Sequence, residues 1–206
     1  MTTTAQRPAT RTAPTPVPSL RPWHALMLLG GALGIVTGSW QTVERIAWAA
    51  NPGKDSWCEI NAALSCSSVY SHWQSSALGI PNSLVSVPVF TMLAATGLAG
   101  LLGTTFARSY LATLLGITVF MAGFVTWYME QSAFAIGVLC LFCVGCAVNI
   151  VIAGVGLTRV AAAGQALGEG RAGRELRLLV ASGADVIAWV GLAGVVAVML
   201  VVGLAF

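Results

Sequence analysis

Charge is the scarcest commodity in this sequence. Of 206 residues, 10 are Lys or Arg and 7 are Asp or Glu, so 8% are charged, against about a quarter in an ordinary soluble domain. With 57% hydrophobic residues, the chain lacks the polar surface of a water-soluble globule and is read as a membrane protein. The few charges form no basic patch for nucleic acid, and the net charge of +3 reflects topology. Histidine is rarer still, with only His24 and His72. A histidine-built metal centre is therefore not expected.

Long apolar runs are what the chain has instead. Charge-free stretches cover Pro22 to Val43, Ile60 to Ala107, Ser109 to Met129, Gln131 to Thr158 and Val186 to Phe206. A spanning helix needs about 20 such residues, and lipid tolerates only helices or closed barrels. The second run is uniformly apolar only from about Leu84. Five spans follow, at about 24–43, 84–106, 109–130, 133–157 and 185–206. Ala47-Trp48-Ala49 resembles a cleavage site, but Glu44 and Arg45 intervene and the apolar stretch is long for a signal peptide.

Arginine placement sets the orientation, because basic residues in short loops stay on the cytoplasmic side. With the N-terminus inside, Arg7, Arg11, Arg21, Arg108, Arg159, Arg171, Arg174 and Arg177 all lie inside. The expected layout is a disordered cytoplasmic tail (1–22), a four-helix membrane domain (23–158) with an outer loop (44–83), a cytoplasmic connector (159–184) and a fifth span (185–206) ending outside. "NPGKD" signals a turn in the outer loop, and "WCEINAALSCSSVYSHW" a short helix bracketed by cysteines. Gly30, Gly31, Gly34, Gly97 and Gly100 suit close helix packing. Trp40, Trp48, Trp57, Trp73 and Trp127 fall near the outer boundary, as an interfacial belt would.

Topology also sorts the five cysteines. Cys58 and Cys66 lie in the outer segment, where disulfides persist in an oxidising compartment; a bridge there would be a staple of about 2–3 kcal/mol. Cys140 and Cys143 form Cys-x-x-Cys in the outer half of helix four. Residues three apart share a helix face, so their sulfurs are within disulfide reach. A start near Ser132 or Ala133 puts Cys140 about 10–12 Å along that helix. Cys146 permits a second pairing with Cys143, deeper and farther from the outer cysteines; it is otherwise read as a packed core residue. Thiolates also select soft metals, but the outer side offers one histidine and the methionines form no ladder.

Taken together, "CEINAALSC", "CSSVYSHW", "PNS" at Pro81 to Ser83 and the intramembrane "CLFC" resemble the vitamin K epoxide reductase family in its bacterial form, over about residues 24–157. The resemblance implies an all-α membrane protein of five helices, four bundled around a quinone beneath the outer loop and its short helix. It implies an enzyme of the bacterial cytoplasmic membrane, an oxidoreductase that reoxidises a thioredoxin-fold disulfide-forming partner and passes electrons to menaquinone or ubiquinone. No metal is implied.

By position, Cys58 would exchange with the partner, Cys66 would relay to Cys140, and Cys143 would face the quinone, with Asn82 hydrogen-bonding a quinone oxygen. Glu59 is the acidic residue after the first loop cysteine; His72 stands where the family often has Ser or Thr, with Ser71 beside it, and Glu59, Ser71, His72 and Trp73 are read as supporting. Many bacterial relatives fuse a thioredoxin-like domain after the last helix; here the sequence ends with helix five, so a separate partner is expected. Ala147 stands where vertebrate relatives have a tyrosine, a departure from the epoxide-reducing pattern. Two other classes remain: an unrelated quinone-linked thiol oxidase, which normally carries its Cys-x-x-Cys in an outer loop, and a non-enzymatic metal- or heme-binding membrane protein.

Overall fold

The computed structural model describes residues 19–52, 58–61 and 63–205. The expected tail (to residue 18), Trp57, and the central part of the "NPGKD" turn lie outside the described residues. Five helices are long and apolar enough to cross a membrane, and among the described residues extended structure is limited to isolated bridges. The protein is an all-α integral membrane protein.

Helix α1 (Arg21–Ala50) starts with Pro22 in its first turn, where proline's missing N–H costs nothing. It is longer than the expected span at both ends, so Arg21 and Pro22 belong to the bundle rather than the tail. Glu44 and Arg45 also stay helical, and the outer loop begins at Asn51. α2 (Cys66–Tyr70) and a 3₁₀ turn (Trp73–Ser76) form the cap. α3 (Asn82–Leu101) and α4 (Arg108–Glu130) follow.

Buried helix contacts at the inner end use glycine because backbones meet directly. A Cβ on Gly31 would lie 2.5 Å from the Ala94 backbone nitrogen, and one on Gly97 2.5 Å from that of Leu28. Intramembrane hydroxyls are satisfied within their own helices: Thr42 donates to Gly38 O and Thr118 to Leu114 O, both at 2.8 Å, as a water-free medium requires.

The fourth span departs from expectation where it matters most. Residues 131–136 do not open it; they continue α4 as a π-helical turn, which Gly137 ends with φ of 76°. The chain then runs extended, with Leu139 bridging to Leu64 of the cap, and α5 (Leu141–Ala163) begins only after Cys140, its extended N-cap. Pairing with the cap supplies hydrogen bonds that an early helix would forfeit: Leu139 N–H donates to Ala63 O at 2.8 Å, and Ser65 N–H to Leu139 O at 3.0 Å.

Beyond α5, the connector contains α6 (Arg171–Ser182), followed by α7 (Ala184–Ala205). Because α5 runs to Ala163, the connector is shorter than expected. Arg159 and Asp185 dock α7 through two hydrogen bonds of 2.7 and 2.9 Å, and Trp189 donates to Thr158 at 3.0 Å.

Candidate active site

Local chemistry in the cap fixes the outer cysteines. Asn61 Oδ1 accepts from Ala63 and Leu64 N–H at 2.9 and 3.0 Å, closing a tight turn. Ser65 caps α2 by accepting from Ser68 N–H at 3.1 Å. Glu59 accepts from Ser67 N–H at 2.9 Å. Burial pushes the Glu59 carboxyl up, but hydrogen bonds from Ser67, Ser65 and Cys66 outweigh it and hold the group below its ordinary value. Glu59 thus braces the turn of helix that starts at Cys66.

Cys58 and Cys66 are disulfide-bonded, their Cα atoms 5.7 Å apart. Cys140 and Cys143 are thiols. The Cys66 sulfur lies 3.2 Å from that of Cys140, and Cys58, Cys66 and Cys140 sulfurs fall within 4.8 Å of one another. All three side chains are essentially buried. A trio of free thiolates at this spacing would bind a soft metal; here two of the three share a covalent bond, and the arrangement suits exchange.

Because Cys140 is an N-cap rather than an interior helix residue, its sulfur faces the backbone amides of Phe142 and Cys143. A helix N-terminus favours the thiolate. Cys143, one turn on, is 5% exposed and forms part of the wall of a cavity of about 50 Å³. Its lining is mostly apolar, from Val89, Phe90, Met121 and Phe124, with Gln41, Asn82, Ser83, Ser86 and Tyr128 as polar exceptions. A flat, apolar ring with polar oxygens at its edge fits such walls.

The structure therefore gathers Cys58, Cys66, Cys140, Cys143 and Asn82 around one axis from cap to cavity. Asn82 reaches the cavity, although one of its N–H groups is engaged with Gln74 O at 2.8 Å. Ser71, His72 and Trp73 are not brought there. Ser71 and His72 bond the Ser68 carbonyl on the exposed cap, and Trp73, 66% exposed, faces Trp127. Cys146 is buried and packs in the core, as expected, and also borders the cavity.

Gln41 is a residue that sequence reading missed. Its Nε2 donates to Cys143 sulfur at 3.2 Å and approaches that of Cys140 at 4.0 Å. The signal was present: a lone amide in an apolar span is a functional hypothesis by default. Arg45 was likewise missed as a site residue; its guanidinium sits 4.8 Å from the Trp48 ring and 5.5 Å from that of Tyr70.

A helical membrane bundle that places an outer disulfide against a buried Cys-x-x-Cys, itself beside an apolar cavity, has the architecture of a membrane thiol-disulfide oxidoreductase. The profile of the vitamin K epoxide reductase family matches residues 25–157, and the chain belongs to that family. Its members are oxidoreductases that couple thiol-disulfide chemistry to quinones in membranes. The match spans Cys58, Cys66, Cys140, Cys143 and Asn82, and stops before α6 and α7. Comparison with individually curated proteins gave no match.

Proposed function

We propose that the protein oxidises a separate thioredoxin-fold partner on the outer side of the bacterial cytoplasmic membrane and passes two electrons to menaquinone or ubiquinone. The observation that carries this reading is the 3.2 Å approach of Cys66 to Cys140, with Cys143 on the cavity wall. In the proposed sequence, a partner thiolate attacks Cys58 and releases Cys66. Cys66 attacks Cys140 of a Cys140–Cys143 disulfide, and Cys143 leaves as the thiolate. The partner's second thiolate then displaces Cys58, so that the partner leaves oxidised, and the freed Cys58 attacks Cys66, re-forming Cys58–Cys66 and releasing Cys140. The outer disulfide with inner thiols corresponds to the stage at which both electrons have moved inward.

Two electrons and two protons then reduce the quinone to quinol while the Cys140–Cys143 disulfide re-forms. Gln41 steadies the Cys143 sulfur, and Asn82 supplies the polar contact for a quinone oxygen. Surrounding apolar walls exclude water and competing thiols. Orientation with the N-terminus inside puts the cap and the relay on the outer face.

Quinone reduction by the purified protein with a thioredoxin-fold dithiol donor tests the proposal. Cys143→Ala should abolish turnover, and Cys66→Ala should accumulate the partner on Cys58. Undiminished turnover in Cys143→Ala would overturn the assignment, as would a partner trapped only on Cys66 in Cys58→Ala.

A further inference from the structure

Between the cap and the large cavity lies a second, smaller cavity of about 10 Å³, bordered by Arg45, Tyr70, Ser75, Asn82 and Tyr128. It shares Gln41, Asn82, Ser83 and Tyr128 with the large one. The two differ in chemistry: the larger is walled mainly by hydrocarbon, the smaller by amide, hydroxyl, phenol and guanidinium groups.

Three buried polar atoms among these residues make no hydrogen bond of normal geometry with the protein: Arg45 Nη1, Tyr70 Oη and Asn82 Oδ1. Tyr70 is 2% exposed, and its hydroxyl is turned toward the Cys140 sulfur. An orphaned buried polar group costs about 1–3 kcal/mol. Three around one small space are hard to accommodate unless something polar sits between them. A water molecule needs about 10–15 Å³ of such space and two to four polar partners; this cavity is the size for a single water and offers donors from Arg45 and Tyr70 and an acceptor from Asn82.

The quinone reaction, on the reading proposed above, creates a demand for protons at this depth. Oxidation of the partner dithiol releases two protons outside, while quinone plus two electrons takes up two inside the bundle. Hydrocarbon walls carry no protons. Tyr70, Arg45 and Asn82 connect the cap side to the rim of the quinone cavity.

We propose that the small cavity binds ordered water and is the proton-entry site for quinol formation, with Tyr70, Arg45 and Asn82 as its positioning residues. Burial pushes the Tyr70 phenol far above its ordinary value, with Cys140 and Cys143 adding to the effect. The phenol thus stays protonated and able to donate. The charged and titratable groups facing it are Glu44 and Arg45 of α1, Tyr128 of α4, and Cys140 and Cys143.

An experimental structure of the full chain in lipid nanodiscs, at a resolution that shows water, gives the direct test. Density within hydrogen-bond distance of Tyr70 Oη, Arg45 and Asn82 is expected; a dry cavity overturns the proposal. Kinetics give the second test: single-turnover reduction of a short-chain naphthoquinone in H₂O and D₂O. Tyr70→Phe and Arg45→Met should each slow quinol formation about tenfold and alter its solvent isotope effect, with Arg45→Lys retaining more of the rate. Unchanged rates and isotope effects in both variants would refute it. If Tyr70→Phe does not fold, the Arg45 pair and the water density decide the matter. Quinol formation that persists in Cys143→Ala would instead defeat the quinone reading beneath it.

Discussion

The inner and outer halves of the bundle are built on opposite principles. At the inner end, α1 meets α3 and α5 backbone to backbone: Gly97 faces Leu28, and a Cβ on Gly156 would lie 2.4 Å from Trp23 O. At the outer end the same helices part around two cavities and hold sulfur, amide and guanidinium groups among them. Dense packing at one end lets the other stay open. Without water to drive helices together, association in lipid rests on van der Waals fit, which the inner half supplies through backbone-to-backbone contacts.

Mutations on the two sides should therefore separate activity from stability. The largest effect expected is on chemistry alone: Cys143→Ala should lower quinone reduction about a thousandfold or more, while thermal unfolding in detergent stays within a few degrees of the parent. A large drop in the unfolding temperature would show that the outer half also holds the bundle together. The converse change belongs to the inner half. Gly31→Leu drives a side chain into Ala94 and should cost several kcal/mol or prevent folding, which detergent-solubilised yield and melting would report.

Next in size is Asp185→Asn, which leaves Arg159 without its charged partner against the Trp23 ring, 4.2 Å away. Breaking a buried pair costs about 3 kcal/mol. Limited proteolysis should show α7 released, while quinone reduction persists if α7 only buttresses the domain. Gln41→Leu comes after it. Losing the bond to the Cys143 sulfur should slow quinone reduction about tenfold, since one such bond contributes about 1–1.5 kcal/mol, with folding unaffected.

The smallest effect is on the cap. Because Glu59 is held below its ordinary value of 4.5, its bracing of α2 is complete above that pH and fades as the carboxyl protonates at lower pH. Exchange at Cys58–Cys66, followed by thiol labelling, should lose this acid dependence in Glu59→Gln. An unchanged pH profile would assign the brace to Ser65 and the disulfide alone.

Much of the domain was legible in the residues. Low charge and apolar run length gave the spans, and arginine placement gave the orientation that remains part of the proposal. Gly31 and Gly97 lie at close helix contacts, as read. What misled was the step from Gln131 to Cys140: its letters are apolar enough to pass as helix, and hydropathy does not distinguish a helical start from a strand-like one. A partner strand distant in sequence, Ala63 to Ser65, decided it by offering hydrogen bonds to Leu139. Gln41 was visible as a lone amide in an apolar span, but nothing along α1 indicates that its face, or that of Arg45, meets the cysteines at the start of α5.

By itself the sequence determined the membrane class, the number of spans and the Cys-x-x-Cys spacing, because hydrophobicity and local spacing are properties of contiguous residues. Tertiary structure alone decided that Cys140 caps a helix and lies 3.2 Å from Cys66, and that a polar cavity adjoins an apolar one. Those facts depend on groups far apart in sequence, such as Gln41 and Cys143, which are 102 residues apart, being pressed together by packing that no local pattern encodes.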